Sequence, residues 1–310
     1  MSTSPVVIVN PQSGGGRTRR AWPRLEAAIR DALGDFRPVF TERSGHAIEL
    51  TRAALREGAD LVIAMGGDGT INEVVNGFFD EQGAPIRPSA AFGLLPAGTG
   101  GDFVKTAGTP ATLIEAARHI ASARPRAIDV GRLTYLSHDA VRSTRMFINI
   151  ASFGIGGLID RYVESSKSLG GKAGFFVASV RATLVYHNTP VRITVDDQPP
   201  EVRTIYSVAV AKGRFFGGGM MIAPPAELDS GRFEVVTIGD VGLTTMLRYS
   251  PRIYAGTHLT LPFIQHQTAR KLYAESTTGE EVLLDVDGEP LGRLPATFEI
   301  LPRAIQVMAP

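Results

Sequence analysis

Cysteine is absent from the sequence. That excludes disulfides, a thiolate nucleophile and any cysteine-ligated metal, so chemistry must come from carboxylates, hydroxyls, His, Lys and Arg. Charge of one sign is lacking as well. A net charge of +1 gives no reason to expect nucleic acid as a partner, because domains that bind it usually carry a strongly basic face. No apolar run approaches the ~18 residues of a membrane-spanning helix. The opening "MSTSPVVIVNPQSGGG" shows no basic segment followed by a long apolar one, so it does not read as a signal peptide and a cytoplasmic protein is expected. The histidines (His46, His119, His138, His187, His258, His266) are scattered, no pair has the spacing of helical metal ligands, and they read as surface or core residues.

What is present is organised in two textures. A chain of 310 residues exceeds the ~100–200 typical of one domain, so two are expected. From Pro5 to about Ala123, β-rich runs (Val6–Asn10, Phe36–Phe40, Leu61–Met65, Ala91–Leu95) alternate with stretches whose apolar residues recur every three or four positions (Arg19–Leu33, His46–Gly58, Ile71–Phe79). Strand–helix alternation of this kind predicts a parallel sheet with both faces covered. After Arg124 the runs become mostly β: Arg126–Leu136, Thr144–Gly154, Val191–Asp197, Arg203–Gly213, Phe233–Gly239, Glu280–Glu289 and Ala296–Pro310. Turn residues at short intervals between most of these predict an antiparallel sandwich or barrel. Helical interruptions are expected at Ile159–Lys167, Ala173–His187 and Leu243–Gly256, and "FFGGGM" (Phe215–Met220) reads as a glycine bulge in a strand.

Four polar, glycine-rich loops, "NPQSGGG", "TERSG", "GGDGT" and "PAGTGGD", fall after the strands of the first half. In parallel sheets ligands sit beyond the carboxyl ends of the strands. A loop that leaves a strand and opens a helix offers unpaired backbone N–H groups and the positive end of the helix dipole, which suits a phosphate. Taken one at a time each loop is equally well a tight turn; the set on one edge is harder to dismiss. Neither GxxxxGK[ST] nor GxGxxG occurs, which disfavours a P-loop NTPase and the usual dinucleotide fingerprint. Asp68 adds a carboxylate inside the loop. Beside a polyphosphate it is unfavourable unless a cation or a transferable proton lies between them, which points to Mg²⁺ or to acid–base work. The dipeptide Asp287-Gly288 after an apolar run is a hairpin signal whatever the function.

The blocks "VVIVNPQSGGG", "GGDGTINEVVNGF", "LPAGTGGDF", "FFGGGMMIAPPAELDSG" and "DVDGEPLG" together resemble the signature of the diacylglycerol kinase and sphingosine kinase catalytic family, in its compact bacterial lipid-kinase form. The resemblance runs from about Val6 to Met308. GGDGT alone is shared with NAD kinases and phosphofructokinase-like enzymes; the ordered set is far more specific. The fold this implies is a Rossmann-like parallel-sheet α/β domain for nucleotide (1–125) and an antiparallel β-sandwich domain for lipid (126–295), with the segment 296–310 returning to the first domain. By the same resemblance, ATP would contact Asn10, Thr41, Gly66, Gly67, Asp68, Gly69, Thr70, Ile71, Asn72 and Thr99. Glu289 would accept the substrate's proton, with Asp68 and Asp287 as accompanying carboxylates. The family's structural Mg²⁺ loop often reads Asp-Asp-Gly, whereas this chain has "LDSG": Ser230 stands where a liganding Asp is expected, and Asp229, one residue early, is the remaining candidate ligand. Gly101 likewise replaces an Asn before Asp102.

The expected activity is therefore transfer of the γ-phosphate of ATP, with Mg²⁺, to a hydroxyl of diacylglycerol, a sphingoid base or a related glycerolipid. An NAD kinase-like enzyme and a non-catalytic nucleotide-sensing module are the alternatives. A lipid acceptor implies peripheral contact with the inner membrane face. The acid-free stretch Val241–Ala274, with Arg248, Arg252, Arg270 and Lys271, is the candidate for it, although most of its apolar residues fit simple packing on the sandwich. A homodimer is left open.

Overall fold

A computed structural model of the protein describes residues 4–98, 101–165 and 186–309, in two compact units: Met1–Val130 with Pro302–Pro310, and Gly131–Leu301. In the first unit β1 (Val6–Val9), β2 (Arg37–Phe40), β3 (Leu61–Gly66) and β4 (Ala91–Pro96) form a parallel sheet ordered β2-β1-β3-β4. The end of the last strand, β15 (Glu289–Val307), lies parallel beside β4 through Gln306↔Ala91 and Val307↔Phe92. β1 is buried along its whole length, as expected of a strand covered on both faces. Helix α1 (Ser13–Leu33) and α5 (Leu113–Ser122) cover the sheet around Ile29, Ile63, Ala116 and Ile120, while α2 (His46–Arg56) packs on α3 (Asp68–Gly77).

This strand order has one topological switch point in the first unit. The chain runs from β1 outward to β2, then crosses back to β3 on the other side of β1, so the switch point lies between β1 and β3. In open α/β sheets ligands bind beyond the carboxyl ends of the strands at such a switch point, where the loops leaving the two strands diverge. α3 starts directly at the end of β3, at Asp68, and the short α4 (Asp102–Ala107) follows β4.

The second unit carries an antiparallel run from β12 (Ile264–Ala269) through β11 (Phe233–Ile238), β10 (Ser207–Ala211), β7 (Ile150–Gly154) and β14 (Leu283–Val286) to β15. A second run joins β6 (Arg142–Phe147), β5 (Arg126–Ser137), β15, β13 (Lys271–Ser276), β8 (Thr189–Val195) and β9 (Glu201–Ile205). Alternate residues of β8 are buried, the period-two pattern of a strand with one face on a core. That core holds Phe147, Phe153, Phe233 and Phe298, all fully buried, with Phe147 stacked on Phe233 at 5.6 Å and Phe153 against Phe298 at 5.9 Å. Each such pair contributes roughly 0.5–1.5 kcal/mol beyond its burial. Helices α6 (Ile155–Ser165) and α7 (Leu243–Tyr254) complete this unit among the described residues.

Two readings of the sequence are corrected. Thr144–Gly154 reads as one strand but forms two, because the N–H groups of Ile148, Asn149 and Ile150 turn to the carboxylate of Asp287 at 3.2, 3.2 and 2.9 Å. "FFGGGM" is no strand bulge: Gly217, Gly218 and Gly219 all have positive φ, and Phe216 and Met220 close a tight loop by an isolated bridge. The helix expected at Ala173–His187 falls almost wholly outside the described residues.

Candidate active site

The first group of candidate residues gathers at the start of α3. Gly67 is its N-cap and makes no side-chain cap bond, and the first intrahelical bond runs from Ile71 N–H to Gly67 O at 3.0 Å. By helix geometry the N–H groups from Gly67 to Thr70 have no intrahelical acceptor, and the dipole adds partial positive charge there. Gly66 and Gly98 are glycine because the protein itself fills the space: a Cβ on Gly66 would lie 2.4 Å from Thr70 Oγ1, and one on Gly98 2.6 Å from Gly67 Cα. Gly67 differs. Its φ of −96° suits any residue and a Cβ would meet nothing closer than Gly98 Cα at 3.6 Å, so packing does not demand glycine there.

Neighbouring side chains are engaged away from those N–H groups. Asn10, at the end of β1, donates from Nδ2 to Thr70 Oγ1 at 3.0 Å and accepts from Gln12 N–H at 2.9 Å. Ile71 and Asn72 are buried, with Ile71 N–H bonded to Gly67 O and Asn76 donating to Asn72 O and Oδ1, so these two positions are engaged within the helix. After β1, Gly14, Gly15 and Gly16 all adopt left-handed φ, which only glycine takes without strain, and a Cβ on Gly15 would meet nothing within 4 Å. Thr41 closes the β2 end by donating from its N–H to Val9 O at 2.9 Å. Thr99 lies outside the described residues.

Asp68 is the unusual member. Its Oδ2 accepts from Gly101 N–H at 3.0 Å, while Oδ1, equally buried, has no hydrogen-bond partner among the described residues. Burial pushes this carboxyl above the usual carboxylate range; the Asp102 carboxylate adds to the shift, and the amides of Gly101, Asp102 and Phe103 oppose it. Asp102 is itself buried and paired with Lys105 Nζ at 2.9 Å. Gly101, with φ of +147°, supplies the amide that meets Asp68.

One supporting residue escaped the sequence reading. Glu73, buried on α3, accepts from Gly45 N–H at 2.8 Å and Ala47 N–H at 3.1 Å, capping α2 and tying the loop before it to α3. No local signal marks it, because a Glu in the pattern "INEVV" has the appearance of an ordinary polar helix position.

In the second unit Asp287 and Gly288, with φ of +51° and +86°, make the two-residue turn that joins β14 to β15. Asp287 turns its carboxylate inward to three backbone amides, and Gly288 N–H donates to Asp285 Oδ1 at 2.9 Å. Glu289 begins β15 with its carboxylate partly exposed and paired to Arg145 Nη2 on β6 at 2.9 Å. The two carboxylates flanking one glycine thus meet different surroundings. Asp229 sits in a loop whose neighbour Ser230 receives a 3.0 Å hydrogen bond from the ammonium of Lys212.

A model of the diacylglycerol kinase catalytic domain matches residues 4–133, and one of the YegS C-terminal NAD kinase beta sandwich-like domain matches residues 149–309. The chain belongs to the bacterial diacylglycerol kinase family. A protein named Diacylglycerol kinase from Staphylococcus haemolyticus (strain JCSC1435) is 28% identical over 305 residues, 98% of this chain and 87% of that one. A solved structure from Bacillus anthracis str. Sterne superposes with a TM-score of 0.77 at 25% identity, covering 99% of this chain and 97% of that one. Yeast NADH kinase complexed with NADH reaches a TM-score of 0.57 at 13% identity, covering 99% and 83%, a likeness of fold alone. Membership of the diacylglycerol kinase family accounts for the pairing of a parallel α/β sheet with an antiparallel β domain.

The surroundings of Asp68 generate a stability prediction with a definite sign. A carboxyl whose folded-state pKa is raised costs no stability below its unfolded pKa, and the penalty grows as pH rises through the folded pKa. Asp68→Asn should therefore unfold at a higher temperature than the parent at about pH 8, with the gap closing toward about pH 4. A parent more stable than Asp68→Asn at the higher pH, or a gap independent of pH in thermal unfolding, would contradict the burial of an ionised Asp68.

Proposed function

We propose that the protein is an ATP-dependent lipid kinase, with the first unit holding the nucleotide and the second supplying the acceptor's base. The observation that carries this reading is the start of α3, where N–H groups without helical acceptors, a Gly67 that packing does not require and an Asp68 oxygen without a partner lie in one loop. Triphosphate oxygens suit the first two, and a divalent cation suits the third. Such a cation, bound with the nucleotide as Mg²⁺, would neutralise charge on the β- and γ-phosphates. In this reading Asn10, Thr41, Gly66 through Asn72 and Thr99 line the nucleotide, and Asp68 Oδ1 faces the cation. Membership of the family, with relatives named diacylglycerol kinase, supports a glycerolipid acceptor such as diacylglycerol over a sphingoid base or a dinucleotide.

In the transfer step the lipid hydroxyl oxygen bonds to the γ-phosphorus, the bond to the bridging β–γ oxygen breaks, and ADP leaves. Glu289 takes the hydroxyl proton. The Arg145 guanidinium, 2.9 Å away, aims that carboxylate, and Asp287 acts as a positioning group that fixes the turn through its three amides. Phosphate transfer from radiolabelled ATP, assayed against diacylglycerol, a sphingoid base and NAD, tests the reading. Label in the diacylglycerol fraction supports it; label on NAD, or on nothing, overturns it.

Three variants sharpen that test. Gly67→Ala should leave the unfolding temperature close to the parent's, since the protein has room for the methyl group, yet weaken ATP binding at least ~10-fold by calorimetry through loss of close backbone approach. Equal affinity would remove Gly67 from the nucleotide site. Glu289→Gln should lower turnover by ~10²–10⁴ with ATP binding retained, the usual value of general-base catalysis. Near-parental turnover in that variant would exclude Glu289 and leave Asp68 as the leading base. Membrane contact is assigned to α7, where Leu247 and Tyr254 are each 51% exposed and Arg248 lies beside them, whereas Arg252 donates to Thr257 O and Thr260 Oγ1. Leu247→Glu with Arg248→Glu should reduce sedimentation with anionic liposomes, and unchanged sedimentation would return α7 to a purely packing role.

A further inference from the structure

Lys212 follows β10 and is 1% exposed, the only lysine among the fully buried side chains of the described residues. A buried ammonium is costly unless its three N–H donors find acceptors, because it can accept nothing itself. Two of those donors are spent on one loop: Nζ donates to Ser230 Oγ at 3.0 Å and to Arg232 O at 2.9 Å. Ser230 Oγ lies in turn 3.1 Å from Arg232 O and 3.3 Å from Glu227 O, so its single proton serves one of those carbonyls. The Arg232 end of the Glu227–Arg232 loop and its Ser230 are thereby drawn onto one positive charge, with Glu227 O joined to them through Ser230 Oγ and Asp229 preceding that serine in the chain.

Metal ligation would make different demands on this loop. Mg²⁺ takes six oxygen ligands in near-octahedral geometry, several of them usually waters, and is held by one or two carboxylates. Here the loop offers Asp229 and a serine hydroxyl; two of its oxygens are already turned to an ammonium, and among the described residues no three His, Asp or Glu side chains converge as a metal site. A divalent ion placed among those oxygens would also meet the Lys212 charge at a few ångströms, a repulsion that a buried site screens poorly. The residues present do not fit the structural Mg²⁺ that the family's Asp-Asp-Gly loop implies.

We infer that Lys212 is the built-in cation of the Glu227–Arg232 loop, and that this loop takes no divalent metal. The protein then needs a divalent ion only where a nucleotide brings one, and its second unit folds and keeps its loop closed in chelator. The inference does not depend on the kinase reading.

Thermal unfolding of the full chain without nucleotide tests it, with Mg²⁺ alone as the probe against EDTA. To silence any response from Asp68, the measurement is made in the Asp68→Asn background. The midpoint should be the same in Mg²⁺ and in EDTA. Lys212→Met with Ser230→Asp, which removes the ammonium and places a second carboxylate beside Asp229, should create a response: a rise of about 2–4 °C on adding Mg²⁺. A Mg²⁺-dependent rise in the Asp68→Asn protein that Asp229→Asn abolishes would overturn the inference, and so would a folded double variant indifferent to Mg²⁺. Should the double variant not fold, the Asp68→Asn arm decides on its own, together with Mn²⁺ binding followed by water-proton relaxation, in which Asp229→Asn should change nothing.

Discussion

The N–H groups at the first turn of α3 have no helical acceptor, and neighbouring side chains among the described residues are turned elsewhere. Thr70 Oγ1 accepts from Asn10, Asp68 Oδ2 accepts from Gly101, and Glu73 spends its carboxylate on the start of α2. Gly98 allows the β3 and β4 loops to touch backbone to backbone, and Gly66 leaves room for the Thr70 side chain, which together fix the turn. A site of unmet donors is a cost that the surrounding packing offsets, and it persists because β1, β3 and β4 are buried along nearly their whole lengths.

The second unit solves the opposite problem, holding a carboxylate that must not wander. Asp287 gives up its own chemistry to do so. By collecting the amides of Ile148, Asn149 and Ile150 it breaks what would be one long strand into β6 and β7, and it does this from a left-handed backbone conformation that a non-glycine residue adopts only when its surroundings compel it. The residue two places on, Glu289, then has its direction set by the turn and its charge balanced by Arg145.

How much of this is legible in the sequence follows the range of the interactions. The parallel sheet, the antiparallel β domain and the Asp-Gly hairpin are visible because periodicity and turn chemistry are local. The family is visible because its glycine and acid blocks are contiguous. Glu73 meets Gly45 across 28 residues, Lys212 meets Ser230 across 18, and Arg145 meets Glu289 across 144; no window of sequence contains both members of such a pair. The break at Ile148–Asn149 was hidden for the same reason, since its cause lies 138 residues later in Asp287. Even the meaning of a glycine is nonlocal. Gly66, Gly67 and Gly98 look alike in sequence, and only the atoms a Cβ would meet separate the two that packing requires from the one it does not.

Charge balance links the two units without any appeal to shape. Each has acidic groups that must be kept from the cost of burial, and different means are used. Asp287 is neutralised by backbone dipoles, Glu289 by a guanidinium, and the loop around Asp229 carries an internal ammonium. Of these carboxylates Asp68 keeps a buried oxygen without a partner among the described residues, with a second carboxylate, that of Asp102, raising the cost of its charge. An electrostatic debt left open at one atom, beside donors left open on one helix, is the condition in which an anionic ligand and its cation bind together more favourably than either does alone. In the reading proposed above, a magnesium ion paired with a nucleotide phosphate is the ligand that would answer both.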